Sequence, residues 1–253
     1  MPDPIKSTPN PKITLKSNIF TLASVSNKNP VFIAEFVSYR SFLRTIARSA
    51  FWHDVADSKG SRIDPKQALD LMDKFDRNFK AQKVKEIAAA HYTVEQLVDA
   101  YNAYGGNKFW SAEEEALYGR LATKGYIKKT AAGTYSLQQN ASLIFLPNGS
   151  TKSEKTHEIS HALYKQNKNY KENILKIWNK LGEGQRNNIT RILKREGYSN
   201  ESVVTEFAAY VLELEFGPAI KDPHGAIDGF FGNDKKLAES VHKEITKAYN
   251  EAV

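Results

Sequence analysis

Two histidines, His157 and His161, flank a glutamate in the stretch Thr156-His157-Glu158-Ile159-Ser160-His161-Ala162-Leu163-Tyr164. On a helix, residues four apart lie one above the other on the same face. Both imidazoles can then aim a nitrogen at a single metal ion. Glu158 is one residue along and projects to the side of that ion. From there its carboxylate can take a proton from water activated at the metal. Ile159, Ala162 and Leu163 supply the face that packs inward. Without a metal, the same residues would be two surface imidazoles on a polar helix. The residues upstream weigh against that reading. Ser142-Leu143-Ile144-Phe145-Leu146 has the composition of a strand, and Pro147-Asn148-Gly149 that of a turn, so the motif opens a helix directly after a strand and a turn.

The segment resembles the active-site helix of the H-E-x-x-H zinc metalloproteases, the zincins. Ala162-Leu163 and the later Thr205-Glu206-Phe207-Ala208-Ala209-Tyr210 are most similar to the branch whose third ligand is a glutamate, the gluzincins. The resemblance covers those two segments. It implies a zincin-like core and a zinc ion as cofactor. It also implies hydrolysis of peptide bonds in a protein substrate, with Glu158 as general base and Ser142–Leu146 as an edge strand bordering the cleft. The type of secreted or delivered effector or toxin falls within the same resemblance.

A catalytic zinc takes three protein ligands and keeps one position open. The pattern H-E-x-x-H-x-x-G-x-x-H is excluded, because positions 164 and 167 hold Tyr164 and Asn167. A glutamate nineteen residues after the second histidine is excluded too, because Lys180 stands there. Glu206 lies 206 − 161 = 45 residues on, among small and apolar residues where a carboxylate is costly unless paired or bound to a metal. Ala208-Ala209 would let its helix approach another backbone closely. Glu201 is the rival, but it falls in a first helical turn, where the helix dipole alone explains an acid. Asp222, His224 and Asp228 stay open as weaker candidates. Some gluzincins carry an acid four residues after the third ligand to brace a histidine. Tyr210 stands there in this chain, so the brace must come from elsewhere. Tyr210 and His224 are the candidates for stabilising a developing oxyanion.

The elements that must position these residues read as an α+β, predominantly helical chain. Pro2, Pro4, Pro9, Pro11 and Pro30 mark 1–30 as an irregular leader. A helical N-terminal lobe over 31–110 and a zincin-like catalytic domain over 111–253 follow. Within the lobe, Phe32, Phe36, Tyr39, Leu43, Ile46 and Ala50 recur at helical spacing. Asp64-Pro65 opens a second helix with a stripe of Leu69, Met72, Phe75 and Phe79. Thr93 and Gln96 form a capping box for a third. His53 and His91 have no partner at ligand spacing and read as packed or surface side chains. Ser111 and Glu114 form another capping box, before a helix over 112–124 and a hairpin turning at Ala131-Ala132-Gly133. Beyond the motif, Ile174, Ile177, Trp178 and Leu181 mark one helix, and Ile189, Ile192 and Leu193 a second. Val203, Val204, Phe207, Ala208 and Val211 mark a third, and Leu237, Val241 and Ile245 a last.

Composition narrows the remaining classes. With 253 residues and 41% hydrophobic content, the chain can bury a sizeable core. There are no cysteines, so neither disulfides nor a Cys-based zinc site contributes. No run approaches the ~18 apolar residues of a membrane span. Met1–Asn10 lacks the apolar core of a secretory signal, which leaves a secreted or a cytoplasmic location open. The net charge of +7 is uneven. Between Lys165 and Arg195 nine basic residues face only Glu172 and Glu183, so 9 − 2 = +7 lies directly after the motif. Such a stretch can draw in an acidic protein or peptide substrate, or can be a solvated face of two helices. The alternative from another class is a basic module that grips nucleic acid or an acidic protein, with the histidine pair inert. Glu113, Glu114 and Glu115 oppose nucleic-acid binding by the helix–hairpin unit.

Overall fold

The computed structural model of the chain describes residues 15–16, 19–25, 30–53, 89–104, 109, 111–216, 221–222 and 225–253. Its centre is a five-stranded sheet in the order β1-β2-β3-β7-β4. The strands are β1 (Leu15–Lys16), β2 (Phe20–Ser24), β3 (Val31–Phe36), β4 (Ala90–Thr93) and β7 (Ser142–Leu146). β3 and β7 run parallel, and the other pairs are antiparallel. A separate hairpin joins β5 (Ile127–Lys129) to β6 (Tyr135–Leu137). Helices α1 (Tyr39–His53), α2 (Val94–Ala103) and α3 (Ala112–Thr123) precede β7. After it come α4 (Lys152–Gln166), α5 (Lys168–Lys180), α6 (Glu183–Arg195), α7 (Val203–Leu212), α8 (Ala226–Phe231) and α9 (Lys235–Ala252). The chain is thus α+β, mostly helix around a small sheet.

The sheet separates two apolar cores. Leu143 and Phe145 of β7 face one, with α1, α2, α3 and the hairpin; Ile144 and Leu146 face the other, with α4 to α9. This is the period-two alternation of a strand buried on both sides. Each core draws on residues from both sides of position 110: Leu117, Tyr118 and Leu121 join the first, and Val31 joins the second.

Three expectations change here. Ser142–Leu146 is not an edge strand. It is buried along its whole length between β3 and β4, and β4 is the outermost described strand on that side. Five consecutive apolar or small residues fit a two-sided interior strand better than an edge, which would present a polar face. Val31–Phe36 is a strand rather than the start of a helix. Its burial alternates and it pairs on both sides, so sheet pairing overrides the helical spacing of Phe32 and Phe36. The leader also contributes structure, since Phe20 and Leu22 of β2 are buried against β3. The helix expected from Asp64-Pro65 lies outside the described residues.

The capping box at Thr93 and Gln96 forms in full at the start of α2. At α3, Ser111 accepts from the Glu114 backbone N–H, but the Glu114 side chain does not return the bond. It turns inward to Arg48 instead, with Oε1 at 2.9 Å from Nε and Oε2 accepting from Nη2 at 3.1 Å. The same guanidinium donates to the Tyr101 carbonyl and lies 4.6 Å from the centre of the Tyr101 ring. Both partners are almost fully buried, at 1% and 2% exposure. Removing one would strand the other's charge in the core. Glu114→Ala is therefore expected to destabilise the fold by about 3–5 kcal/mol in urea unfolding, with metal uptake by the folded protein unchanged.

Candidate metal centre

The site is built where α4 crosses α7. The turn Pro147–Ser150 reverses the chain after β7, with Gly149 at φ +88° and Ser150 Oγ donating to the Pro147 carbonyl. Thr151 then caps α4. Its side chain accepts from Glu154 N–H, and the Glu154 carboxylate accepts from the Thr151 N–H. Ile159, Ala162 and Leu163 are buried as the spacing predicts. On α7, Phe207, Ala208 and Ala209 are buried, and the small side chains allow close packing against α4.

This packing brings His157, His161 and Glu206 together. The two Nε2 atoms are 3.0 Å apart. Glu206 Oε2 lies 3.4 Å from His157 Nε2, and Oε1 lies 3.4 Å from His161 Nε2. A tetrahedral ion bound at about 2.0–2.1 Å has ligand–ligand edges of about 3.3–3.4 Å; each imidazole stands at that distance from one of the two Glu206 oxygens, and the two imidazoles are somewhat closer together. Glu206 is 8% exposed, and its Oε2 is buried with His157 Nε2 as its ion-pair partner. Two imidazoles and one carboxylate converging in this way can hold a divalent ion.

The brace missing at Tyr210 is supplied by Glu213. Its Oε1 is 2.5 Å from His157 Nδ1, and its Oε2 accepts from Ser153 Oγ at 2.7 Å. His157 Nδ1–H therefore donates to a carboxylate, which orients the ring and leaves Nε2 for a metal. Glu213 lies 213 − 206 = 7 residues after Glu206, two helical turns on and on the same face. That spacing is the signal that would have found it. Glu213→Gln is expected to weaken metal binding about 10- to 100-fold, read by competition with a metal-sensitive chelating dye.

The electrostatics follow from these contacts. Burial alone would lower the His157 pKa, but Glu206 and Glu213 bonded to the ring outweigh it, with help from Glu158. In the metal-free protein it is raised to about 10. Burial alone would raise Glu206, but the two imidazoles outweigh it and hold it at about 2. Glu158 is half-buried, and its pKa is raised, chiefly by burial and against the pull of His161 and His157. That moves it towards the range of a general base working near neutrality.

Tyr210 packs its ring edge-on to His157, with centroids 5.2 Å apart, and its hydroxyl is 2.9 Å from that of Tyr198. Burial raises both phenols, and for Tyr198 the bond to Tyr210 and the charge of Glu206 add to the effect. Both therefore stay protonated donors. Tyr198 follows Gly197 in the turn after α6, where Gly197 takes φ +97°. Nothing in its local sequence marks it as part of the site. Glu201 is exposed, and Asp222 accepts from the Ala226 and Ile227 N–H groups at the start of α8. Asp228 bonds Asn233. His224 lies outside the described residues. Among the described residues no helix is long and apolar enough to cross a membrane. Comparison of the chain with protein-family models, with curated proteins and with solved structures finds no match.

Proposed function

We propose that the protein is a zinc-dependent endopeptidase of the glutamate-ligand zincin type, with His157, His161 and Glu206 as the metal ligands. The observation that carries this reading is the three-donor cluster at 3.0–3.4 Å around the buried Glu206 carboxylate. Zinc suits two imidazoles and a carboxylate, and the chain has no thiolate to favour a softer site. When bound, such an ion supplies Lewis acidity: it polarises a carbonyl and lets water lose a proton near neutral pH.

The chain's own residues do the rest. His157 is oriented by Glu213 and His161 by its place one turn along α4. Glu206 supplies a negative charge that offsets part of the ion's. Glu158 takes a proton from the attacking water and passes it to the leaving amine, so one carboxylate serves as base and then as acid. The Tyr210–Tyr198 pair keeps two protonated phenols at the His157 side of the site, a store of hydrogen-bond donors for charge that develops on a carbonyl oxygen.

The test combines metal analysis with cleavage of a mixed peptide library. The expected result is one zinc per chain and internal peptide cleavage that chelator abolishes and zinc restores. A pure, folded protein that takes up no divalent ion, or cleavage that survives complete metal removal, would overturn the reading.

A further inference from the structure

We propose that His91 is a ligand-binding residue whose Nε2–H donates to a carboxylate oxygen of the substrate beside the His157–His161–Glu206 centre. The inference deepens the peptidase reading and rests on it for the nature of the ligand.

His91 stands on β4 opposite Ile144 of β7. Ile144 belongs to the core beneath α4, so His91 lies on the face of the sheet that carries the metal helix. There its Nδ1 lies 3.4 Å from Nζ of Lys165, one helical turn after His161. An ammonium group only donates, so Nδ1 is the acceptor and the ring proton sits on Nε2. The ring is partly exposed, but Nε2 itself is buried and has no hydrogen-bond partner among the described residues. Native interiors seldom leave a donor unmatched, and such a group is a natural place for a bound acceptor.

Charge selects the acceptor. Burial, then Lys165, then His161 hold the His91 pKa down at about 3, so the ring stays neutral and keeps its single donor. Lys165 is exposed. The Lys165 ammonium beside an unmatched N–H favours an anionic oxygen over a neutral carbonyl. The carboxylate can come from an acidic side chain within a peptide or from a peptide C-terminus.

The experiment follows the His91 ring nitrogens by NMR in the full-length protein labelled with ¹⁵N-histidine. Three probes are titrated: N-acetylaspartyl methylamide, N-acetylalanine and the neutral N-acetylalanine methylamide. The expected starting state is the Nε2–H tautomer. One of the two acids should then shift the Nε2 resonance saturably, about tenfold or more tighter than the neutral amide, and Lys165→Met should weaken it by a similar factor. Preference for the aspartyl probe identifies an acidic side chain as the ligand group, and preference for N-acetylalanine a terminal carboxylate. An Nδ1–H tautomer, no saturable shift with either acid, equal binding of the neutral amide, or unchanged binding in Lys165→Met would overturn the proposal. No turnover is read, so a failure to cleave peptides strikes the peptidase reading alone.

Discussion

Glu158→Gln is expected to keep one zinc per chain and to lose about 10²- to 10⁴-fold in peptide cleavage, the range over which positioned acid–base groups contribute. The glutamine side chain matches the carboxylate in size, and position 158 donates no atom to the His157–His161–Glu206 cluster, so the metal geometry should survive. What disappears is the capacity to accept a proton. The loss should appear mainly in kcat, because on the proposed mechanism Glu158 acts on the reacting water rather than on the bound substrate. Parallel metal analysis and initial-rate measurements check it. A variant that keeps both zinc and full activity would remove Glu158 from the mechanism.

The second large effect is expected from Glu206→Ala. Loss of a supporting carboxylate costs a metal site about 10–100-fold in affinity, and loss of a ligand should exceed that. Removing Glu206 leaves only the two imidazoles among the described donors, too few for a tight catalytic site. Thermal unfolding with and without zinc provides a readout that does not depend on activity. At a free ion concentration of about 100 times Kd, binding should stabilise the wild type by roughly 2.7 kcal/mol, and this increment should vanish in the variant.

The same cluster makes metal uptake pH-dependent. In the metal-free protein His157 carries a proton up to about pH 10, held there by Glu206 and Glu213, and an ion must displace it from Nε2. The sign follows from the raised value. The proton on His157 stabilises the metal-free fold fully below the ordinary histidine pKa, and that contribution is lost as pH rises through about 10. Metal affinity therefore rises with pH over this window, with release of about one proton per ion from this group. Titration calorimetry in buffers of different ionisation enthalpy counts the proton.

Much of the site was legible in the residues themselves because its rules are local. Helical periodicity puts His157 and His161 on one face whatever the rest of the chain does, and places Ile159, Ala162 and Leu163 inward. Glu206 was legible for a related reason: an acid among Val203, Phe207, Ala208 and Val211 needs a partner. The capping boxes at Thr93 and Ser111 were readable, but their outcomes differ. Gln96 returns its bond, whereas Glu114 finds a guanidinium that is distant in sequence and near in space.

What the tertiary structure decided are the relations between distant segments. Short apolar runs do not reveal whether they fill the middle or the edge of a sheet, since that depends on which strands pair. Thus Ser142–Leu146 lies inside the sheet, and β4 carries the outer position among the described strands. Glu213 becomes the brace of His157 only because α7 crosses α4 at a height that brings its last turn to Nδ1. Tyr198 and His91 join the neighbourhood through a turn and a strand with no spacing relation to the motif. A repeat of 3.6 or 2 residues specifies faces within an element, whereas coordination and hydrogen bonding between elements are set by packing that no local repeat encodes.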